Sequence, residues 1–338
     1  MNKTLLSISV VIATFNSERT IKNSLESVWT QDYPKDLLEI LICDGGSKDK
    51  TLSIAKKYGA KVFRVPTALQ SAEYNKGVGV NKAKNEIILL LDHDNVLPHG
   101  MWLKNMVEPF LAHKDVVGVE PLRFYYNRSM TTLDRYFALI GGPDPVAYYF
   151  GKNSHLSWIY DSYNLAGRVK DMGAYYIVRF KPTNIPALGG NGAAVRLKVL
   201  LKHAKCDPDN FFHIDVHVDL IRQGFNKFAI TKDSIAHYTN NKFLPFLKRR
   251  RYFIEKYHFQ DQGKRRYSIY EPKKDRKKLL RYVFISSTLI IPTIDSIRGF
   301  LKIRDFAWFI HPLMCFSMLI VYGVPTLREE VKRVFLGK

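Results

Sequence analysis

Residues 87–94 read Ile-Ile-Leu-Leu-Leu-Asp-His-Asp, a continuous apolar run that ends in two carboxylates. An unbroken apolar run of this length is typical of a central parallel strand, which is buried on both faces. Acidic residues that directly follow such a strand lie at its carboxyl end, where open α/β sheets bind their ligands. The stretch therefore predicts a fold class and also the location of a site.

Upstream of this stretch, strand patterns alternate with helix patterns. The predicted strands are 8–13, 38–43 and 61–65, and the predicted helices are 20–31, 51–58 and 71–83. This alternation implies right-handed crossovers and a mainly parallel central sheet flanked by helices. We interpret residues 5–15 as a buried first strand rather than a signal peptide, because no small-residue cleavage pattern follows them.

Polar side chains follow three of the predicted strands. Thr14 and Asn16 follow the first strand, Asp44 follows the second, and Asp92 and Asp94 follow the fourth. Because the carboxyl ends of parallel strands share one edge of the sheet, we expect these side chains to line one site. Two carboxylates one residue apart can share a hard divalent cation with a diphosphate. An isolated Asp-x-Asp is common among surface acids, so its place at a strand end is what favours a metal site.

The segment Asp-Gly-Gly-Ser at residues 44–47 suggests a second part of the site. Two glycines leave room for a flat ring to lie against the backbone, and the Asp44 carboxylate can accept a hydrogen bond from a base imide. The alternative is a turn in which Ser47 or Asp49 caps the helix that begins at Thr51. Both interpretations can hold, since capping does not require Asp44.

Composition limits the classes of protein to which the chain can belong. It has 338 residues, 46% of them hydrophobic, and a net charge of +21, so a large core is possible. Three cysteines exclude a disulfide framework. Residues 248–281 contain 14 Lys/Arg and 4 Asp/Glu, a basic block that either solvates a face or binds an anionic partner. We expect no nucleic-acid partner, because no nucleic-acid-binding motif accompanies the block.

Two apolar runs follow the basic block. Residues 282–294 are too short to span a bilayer, whereas residues 306–324 are just long enough as a helix but contain His311 and Pro312. A hairpin of two spans would place the basic residues of 298–304 on the far side, against the positive-inside tendency. We therefore expect helices that lie in or dip into the cytoplasmic leaflet, with burial in a soluble core as the alternative.

Five segments together resemble family 2 glycosyltransferases of the GT-A fold. They are Val-Val-Ile-Ala-Thr-Phe-Asn (10–16), Asp-Gly-Gly-Ser (44–47), Asn75 with Gly77, Asp-His-Asp (92–94) and Gly-Gly-Asn-Gly-Ala-Ala-Val-Arg (189–196). Their order and spacing match the family, and the resemblance covers residues 7–240. It implies a GT-A catalytic domain at 1–240, which leaves 241–338 as a basic and apolar, helical, membrane-associating region.

The resemblance assigns many of these residues to a nucleotide-sugar donor, expected to be a UDP-sugar. The expected donor-binding residues are Ala13, Thr14, Glu18, Asp44, Asn75, Asp92, Asn191 and Arg251. The expected metal ligands are Asp92, Asp94 and His237, which would hold Mn²⁺ or Mg²⁺; His237 is alternatively a diphosphate contact. Arg251 lies in a basic run where relatives neutralise the diphosphate, and contact with membrane headgroups is the rival interpretation.

The catalytic base departs from the family pattern. Family members invert the anomeric centre, and one carboxylate deprotonates the acceptor hydroxyl. Relatives have a Glu-Asp pair after the glycine-rich motif, but residues 211–219, Phe-Phe-His-Ile-Asp-Val-His-Val-Asp, contain none. We expect Asp215 to be the base and Asp219 to be the second candidate, unless Asp219 merely caps or solvates its helix. His213 and His217 have helical spacing too, but no further ligand motif supports a metal pair.

The sequence thus predicts an inverting, metal-dependent sugar transfer from a nucleotide sugar to a lipid-linked or envelope-glycan acceptor. The basic block beside apolar runs places the protein at an anionic membrane surface, on the cytoplasmic face of the cell membrane. A catalytically inactive scaffold stays open, because the base motif is altered, as does a basic nucleic-acid-binding module. A nucleotidyltransferase would need a glycine-rich phosphate loop after the first strand, and residues 13–19 do not form one.

Overall fold

The computed structural model describes residues 5–256 and 265–336. Its strands are β1 (Ile8–Thr14), β2 (Leu38–Asp44), β3 (Lys61–Arg64), β4 (Ile87–Asp92), β5 (Asn95–Val96), β6 (Gly118–Phe124), β7 (Arg168–Asp171), β8 (Tyr175–Arg179), β9 (Ala193–Arg196) and β10 (Lys227–His237). Its helices are α1 (Ile21–Trp29), α2 (Thr51–Lys57), α3 (Ala72–Lys82), α4 (Trp102–Ala112), α5 (Thr132–Ile140), α6 (Pro145–Phe150), α7 (Leu197–His203), α8 (His213–Arg222), α9 (Phe243–Ile254), α10 (Pro272–Thr288), α11 (Ile290–Lys302) and α12 (Ile310–Leu336). The strand and helix alternation predicted for the first 92 residues is confirmed.

The chain forms two compact units. The first is Met1–Tyr125 with Tyr163–Tyr238, and the second is Tyr126–Ser162 with Thr239–Lys338. The strands named above all belong to the first unit, whereas the second is helical. The sequence division at residue 240 assigned residues 126–162 to the catalytic domain, but in the structure they pack with the C-terminal helices.

The first unit is built on a mixed sheet with the order β3-β2-β1-β4-β9-β6-β10-β8-β7, and β5 pairs with β10. The four strands β3, β2, β1 and β4 are parallel, as the alternation predicts. In the other half of the sheet, β9 is antiparallel to both β4 and β6, whereas β10 is parallel to β6 and antiparallel to β8. The architecture is an α/β sheet with flanking helices.

The register of the sheet brings the predicted polar residues to one edge. Thr14 is opposite Asp44 in the β1–β2 pair, and Ala13 is opposite Asp92 in the β1–β4 pair. The short strand β5 then pairs with the end of β10, so that His237 is opposite Asn95. The sheet itself therefore brings Asp44, Asp92 and His237 to the same edge.

The core of the first unit fixes helix α8 against this sheet. Val11 and Leu90 are fully buried and belong to the same apolar cluster as Val216 and Leu220 of α8. Burial of each such side chain contributes about 1.5–3 kcal/mol. The first turn of α8, which holds the expected base, is thus held in place by the packing of its later turns.

In the second unit, the segment 126–162 packs on the C-terminal helices through large apolar side chains. Tyr136 and Phe137 of α5 belong to one buried cluster with Phe246, Trp308 and Met314. This contact explains why the segment joins the second unit, since burying these aromatic rings removes a large apolar area from water.

The two predicted apolar runs form helices α10 to α12. The axes of Lys273–Thr288 and Ile290–Lys302 differ by 76°. The bend lies at Leu289, whose φ of +60° is left-handed. A third helical stretch, Phe306–Glu329, is long and apolar enough to cross a membrane, and 39% of its apolar window is buried.

Candidate functional site

Asp92, Asp94 and His237 form the centre of the candidate site. One ligand atom from each residue lies within 4.8 Å of the other two. His237 Nε2 is 3.3 Å from Asp94 Oδ1, and its ring stacks on Phe124 with centroids 5.8 Å apart. The structure therefore brings together the three residues that the sequence analysis selected as metal ligands.

The donor atoms of this cluster fit a divalent cation. Two carboxylates and an imidazole are a donor set that Mn²⁺ and similar ions accept. The cluster is partly exposed, so an ion and a phosphate can enter from solvent. One oxygen of Asp92 is taken by an ammonium group, which leaves its second oxygen available for an ion.

That ammonium group belongs to Lys76, which the sequence analysis did not select. Its Nζ lies 2.6 Å from Asp92 Oδ1, and its side chain is only 3% exposed, against 29% for Asp92. Burial alone would raise the pKa of Asp92, but Lys76 and His237 hold it well below its usual range. Asp92 is therefore an ionised carboxylate held in one orientation.

Asp44 closes the turn after β2. Its carboxylate accepts hydrogen bonds from Thr14 Oγ1 at 2.9 Å, Gly46 N at 3.0 Å and Ser47 N at 2.8 Å, and also from the Ser47 hydroxyl. Asp49 accepts from Thr51 N at 2.9 Å, at the start of α2. These bonds agree with a turn in which Asp49 bonds the start of the helix, although the N-cap residue itself is Lys50. The four hydrogen bonds to Asp44 use the roughly four acceptor positions of a carboxylate. Direct contact of Asp44 with a base stays a prediction.

The two glycines after Asp44 have a packing role. A Cβ at Gly45 would lie 1.9 Å from Cγ of Gln70, so no larger residue fits without moving that side chain. Gly46 has a φ of +97°, which a residue with a side chain rarely adopts. Gln70 thus occupies the space on that side of Gly45, where the sequence suggested room for a flat ring.

Asn75 presents an unsatisfied acceptor at the same edge. Its side chain is 1% exposed, and Nδ2 donates to the carbonyl of Thr14 at 3.4 Å. Among the residues that the structure describes, its buried Oδ1 has no hydrogen-bond partner. Buried polar atoms are nearly always paired, so this oxygen marks a position for a donor group from a ligand or from ordered water.

The other expected donor-binding residues lie in three places. Asn191 is linked to the central cluster through Asn95: its Oδ1 accepts from Asn95 Nδ2 at 2.9 Å, and Asn95 Oδ1 accepts from Asp92 N at 2.8 Å. Glu18 Oε2 accepts from Lys50 N at 3.0 Å. Arg251 belongs to the second unit and pairs with Glu255 at 3.0 Å. Its contact with a diphosphate stays a prediction.

Neither expected base candidate belongs to the central cluster. Asp215 lies in the first turn of α8 and is fully buried, with 0% of its surface exposed. Asp219 Oδ2 accepts a hydrogen bond from the backbone of Lys205 at 3.0 Å. Their role as base stays a prediction. The burial of Asp215 and the hydrogen bond to Asp219 do not favour it.

His213 and His217 do not face a common ligand. His217 Nδ1 lies 2.7 Å from the carbonyl oxygen of His213, and its Nε2 lies 3.7 Å from Glu120 Oε1 inside the core. His213 Nδ1 instead contacts Glu73 Oε1 at 2.6 Å. Glu73 was missed in the sequence because no local pattern marks a pair separated by 140 residues.

Comparison with known sequences gives consistent matches. The sequence model described as glycosyl transferase family 2 matches residues 9–200. Glycosyltransferase AglE of Haloferax volcanii is 29% identical over 141 residues, which are 40% of this chain and 46% of that protein. A Methanococcus voltae protein is 34% identical over 110 residues, which are 30% of this chain and 33% of that protein. It is named dolichyl N-acetyl-alpha-D-glucosaminyl phosphate 3-beta-D-2,3-diacetamido-2,3-dideoxy-beta-D-glucuronosyltransferase. The chain thus matches less than half the length of either relative.

Comparison with solved structures gives the fold. The mannosyltransferase PcManGT from Pyrobaculum calidifontis, in complex with GDP-Man and Mn²⁺, superposes with a TM-score of 0.54. The superposition covers 96% of this chain and 88% of that one, at 15% sequence identity. The GT-A type of α/β fold expected from the motifs is confirmed.

Proposed function

The chain belongs to glycosyl transferase family 2, and from this premise we propose that it transfers a sugar from a nucleotide-sugar donor to an acceptor hydroxyl with inversion. The observation that carries the proposal is the cluster of Asp92, Asp94 and His237 at the carboxyl end of a parallel sheet. A diphosphate is a better leaving group when a bound cation neutralises its negative charge. This cluster offers the ligands for such a cation at the edge where α/β sheets bind nucleotides.

The edge formed by β1 and β2 is the proposed nucleoside site, with a UDP-sugar as the expected donor. Ala13, Thr14 and Glu18 lie along it, and Asp44 ties the two strand ends together. The buried Oδ1 of Asn75 supports this placement, because a donor hydroxyl or imide N–H would supply its missing hydrogen bond. Arg251 is proposed as a diphosphate contact on its charge alone.

The reaction is a single displacement at the anomeric carbon. The acceptor oxygen forms the new C–O bond, its proton passes to a base, and the electron pair of the old C–O bond leaves on the diphosphate. Asp92, Asp94 and His237 would hold a divalent cation, which would neutralise the charge of the leaving group. An imidazole among the ligands favours Mn²⁺ over Mg²⁺, which prefers oxygen.

The second unit supports a membrane location. Its helices expose large apolar side chains, with Phe306 at 78% exposure the most open among those described; the others include Leu280, Phe284, Ile290, Ile297, Leu301, Leu313, Phe316, Ile320 and Leu327. Soluble proteins rarely expose so many large apolar residues within one unit, and large exposed apolar surfaces mark protein or membrane contacts. The basic residues of α10 belong to the same unit; they are Lys273, Lys274, Arg276, Lys277, Lys278 and Arg281. Apolar insertion together with attraction to anionic headgroups favours the cytoplasmic membrane surface.

A lipid-linked or envelope-glycan acceptor follows from this location. A glycosyltransferase held at the bilayer surface meets acceptors whose sugar lies just above the headgroups. The name of the Methanococcus relative describes a dolichyl phosphate-linked acceptor, which supports the lipid-linked alternative.

The proposal is tested by a donor screen. Purified protein in detergent is incubated with Mn²⁺ and a panel of nucleotide sugars. Two quantities are measured for each donor: the release of the nucleoside diphosphate and the thermal stabilisation of the protein. We expect one donor to be consumed, and to be consumed far more slowly in EDTA. The anomeric configuration of the product, read by NMR, tests inversion. If no donor stabilises the protein or is consumed, the inactive-scaffold alternative is favoured instead.

A further inference from the structure

Helices α3 and α8 meet through a pair of residues that the proposed reaction has not yet used. His213, the first residue of α8, places Nδ1 2.6 Å from Oε1 of Glu73 in the first turn of α3. The backbone N–H of His213 donates to the other oxygen of the same carboxylate at 2.8 Å. Glu73 therefore fixes both the ring and the backbone of His213.

The second ring nitrogen of His213 points toward the glycine-rich loop. A Cβ at Gly190 would lie 3.3 Å from His213 Nε2, so the ring edge rests on this glycine. In the described residues, 5–256 and 265–336, Nε2 makes no hydrogen bond. The His213 side chain is 25% exposed, so this nitrogen is accessible to a small polar group.

The loop that Nε2 contacts leads directly to the central cluster. Asn191, next to Gly190, accepts a hydrogen bond from Asn95 at 2.9 Å, and Asn95 in turn accepts from the backbone of Asp92 at 2.8 Å. On the other side, Lys76 lies one turn after Glu73 on α3 and pairs with Asp92 at 2.6 Å. The His213–Glu73 pair thus lies beside two elements, the glycine-rich loop and helix α3, that each bond to the cluster.

The charges of this network keep Glu73 ionised. Burial alone would raise its pKa, but His213 and Lys76 lower it to about 2. His213 also contributes to the lowered pKa of Asp92, after Lys76 and His237. A carboxylate bonded to one nitrogen of an imidazole fixes the tautomer in which the other nitrogen is basic.

We propose that His213 is the general base of the transfer and that Glu73 is its positioning residue. Nε2 accepts the proton of the acceptor hydroxyl while that oxygen bonds to the anomeric carbon, and the old bond's electron pair leaves with the diphosphate. Glu73 holds the proton on Nδ1 and stabilises the imidazolium that forms. The inference rests on the proposed function, and it replaces Asp215, which is fully buried, with a residue whose basic atom is accessible.

The test compares His213→Ala and His213→Gln with Asp215→Asn in the full-length protein. We expect either His213 variant to lower kcat by at least about 100-fold, as is typical for loss of a general base, with the KM for the donor changed less than about threefold. Added imidazole should restore part of the activity of His213→Ala, which a structural role would not allow. His203→Ala is the matched control, because His203 bonds Gln223, an exposed contact just after the end of α8.

Glu73→Gln tests the positioning role separately. It should lower kcat by about 10- to 100-fold and leave stabilisation by Mn²⁺ and the donor intact. The dyad is refuted if wild-type protein transfers sugar and both folded His213 variants keep its kcat, or if imidazole restores nothing. Loss of turnover only in a folded Asp215→Asn would assign the base to Asp215. A wild-type protein that consumes no donor refutes the proposed function itself.

Discussion

Replacement of Lys76 by methionine tests how the central cluster balances its charge. Lys76 Nζ and Asp92 Oδ1 are 2.6 Å apart, with side-chain exposures of 3% and 29%. At an effective dielectric of 20, two unit charges at this distance attract by about 6 kcal/mol. Desolvation of the ammonium offsets part of this attraction, and removing one partner of a buried pair generally costs about 3–5 kcal/mol.

We expect the lower end of that range for Lys76→Met, because the partly exposed Asp92 regains hydration when the lysine is removed. The predicted loss in the free energy of unfolding without metal is therefore about 3 kcal/mol. A divalent cation would replace the lost positive charge beside Asp92 and Asp94. With saturating Mn²⁺ the loss should shrink to about 1.5 kcal/mol, and by linkage the variant should bind Mn²⁺ about tenfold more tightly.

The assay is urea unfolding followed by tryptophan fluorescence, in EDTA and in Mn²⁺, with calorimetric titration of Mn²⁺ into the folded proteins. Lys82→Met is the matched control, because it makes the same change at an exposed position of the same helix. It should alter stability by less than about 0.5 kcal/mol in both conditions. An equal loss for Lys76→Met with and without Mn²⁺ would refute the placement of a cation beside Asp92.

Three further changes probe other parts of the molecule. Burial raises the pKa of Glu120 to about 8, so the folded state keeps a proton that the unfolded state loses above about 4.5, and stability falls as the pH rises from 5 to 8. Glu120→Gln should remove this fall, so that at pH 8 its free energy of unfolding rises relative to wild type by up to about 4 kcal/mol more than at pH 5. Urea unfolding at both pH values measures this change. A difference in unfolding free energy between variant and wild type that is the same at both pH values would contradict the raised pKa of Glu120. Asp94→Asn should lower kcat by at least about 100-fold and abolish thermal stabilisation by Mn²⁺, whereas Asp171→Asn, which alters a surface pair with Lys232, should change neither. The double variant Phe284→Ser with Phe306→Ser should bind anionic liposomes at least about tenfold more weakly in a co-sedimentation assay. Unchanged binding would show that these exposed apolar side chains do not contact the membrane.

The strand ends could be predicted because their signals are local. The apolar run 87–91 fixes a buried strand, and Asp92 and Asp94 then have to lie at its carboxyl end. His237 could be placed at the end of a strand in the same way. Its expected role as a metal ligand came from the family resemblance, and the structure brings it to the two acids.

The partners of those residues could not be predicted, because they come from tertiary packing. Glu73 and His213 are 140 residues apart in sequence and meet only where α3 and α8 pack together. Lys76 is in helix α3, whose apolar and polar residues do not separate onto two faces. Nothing in the local sequence therefore indicates that its ammonium group is buried. Asp215 was selected as an acid near the expected motif, but its burial depends on which face of α8 packs on the sheet.

The most direct test of the account is a crystal structure of the protein with Mn²⁺ and the donor identified by the screen, with anomalous data that locate the manganese. We predict that the anomalous peak places a manganese ion within bonding distance of Asp94 and His237 and close to Asp92. The same ion should contact the diphosphate of the donor. A peak bound elsewhere, or a donor diphosphate that lies away from these three residues, would contradict the account.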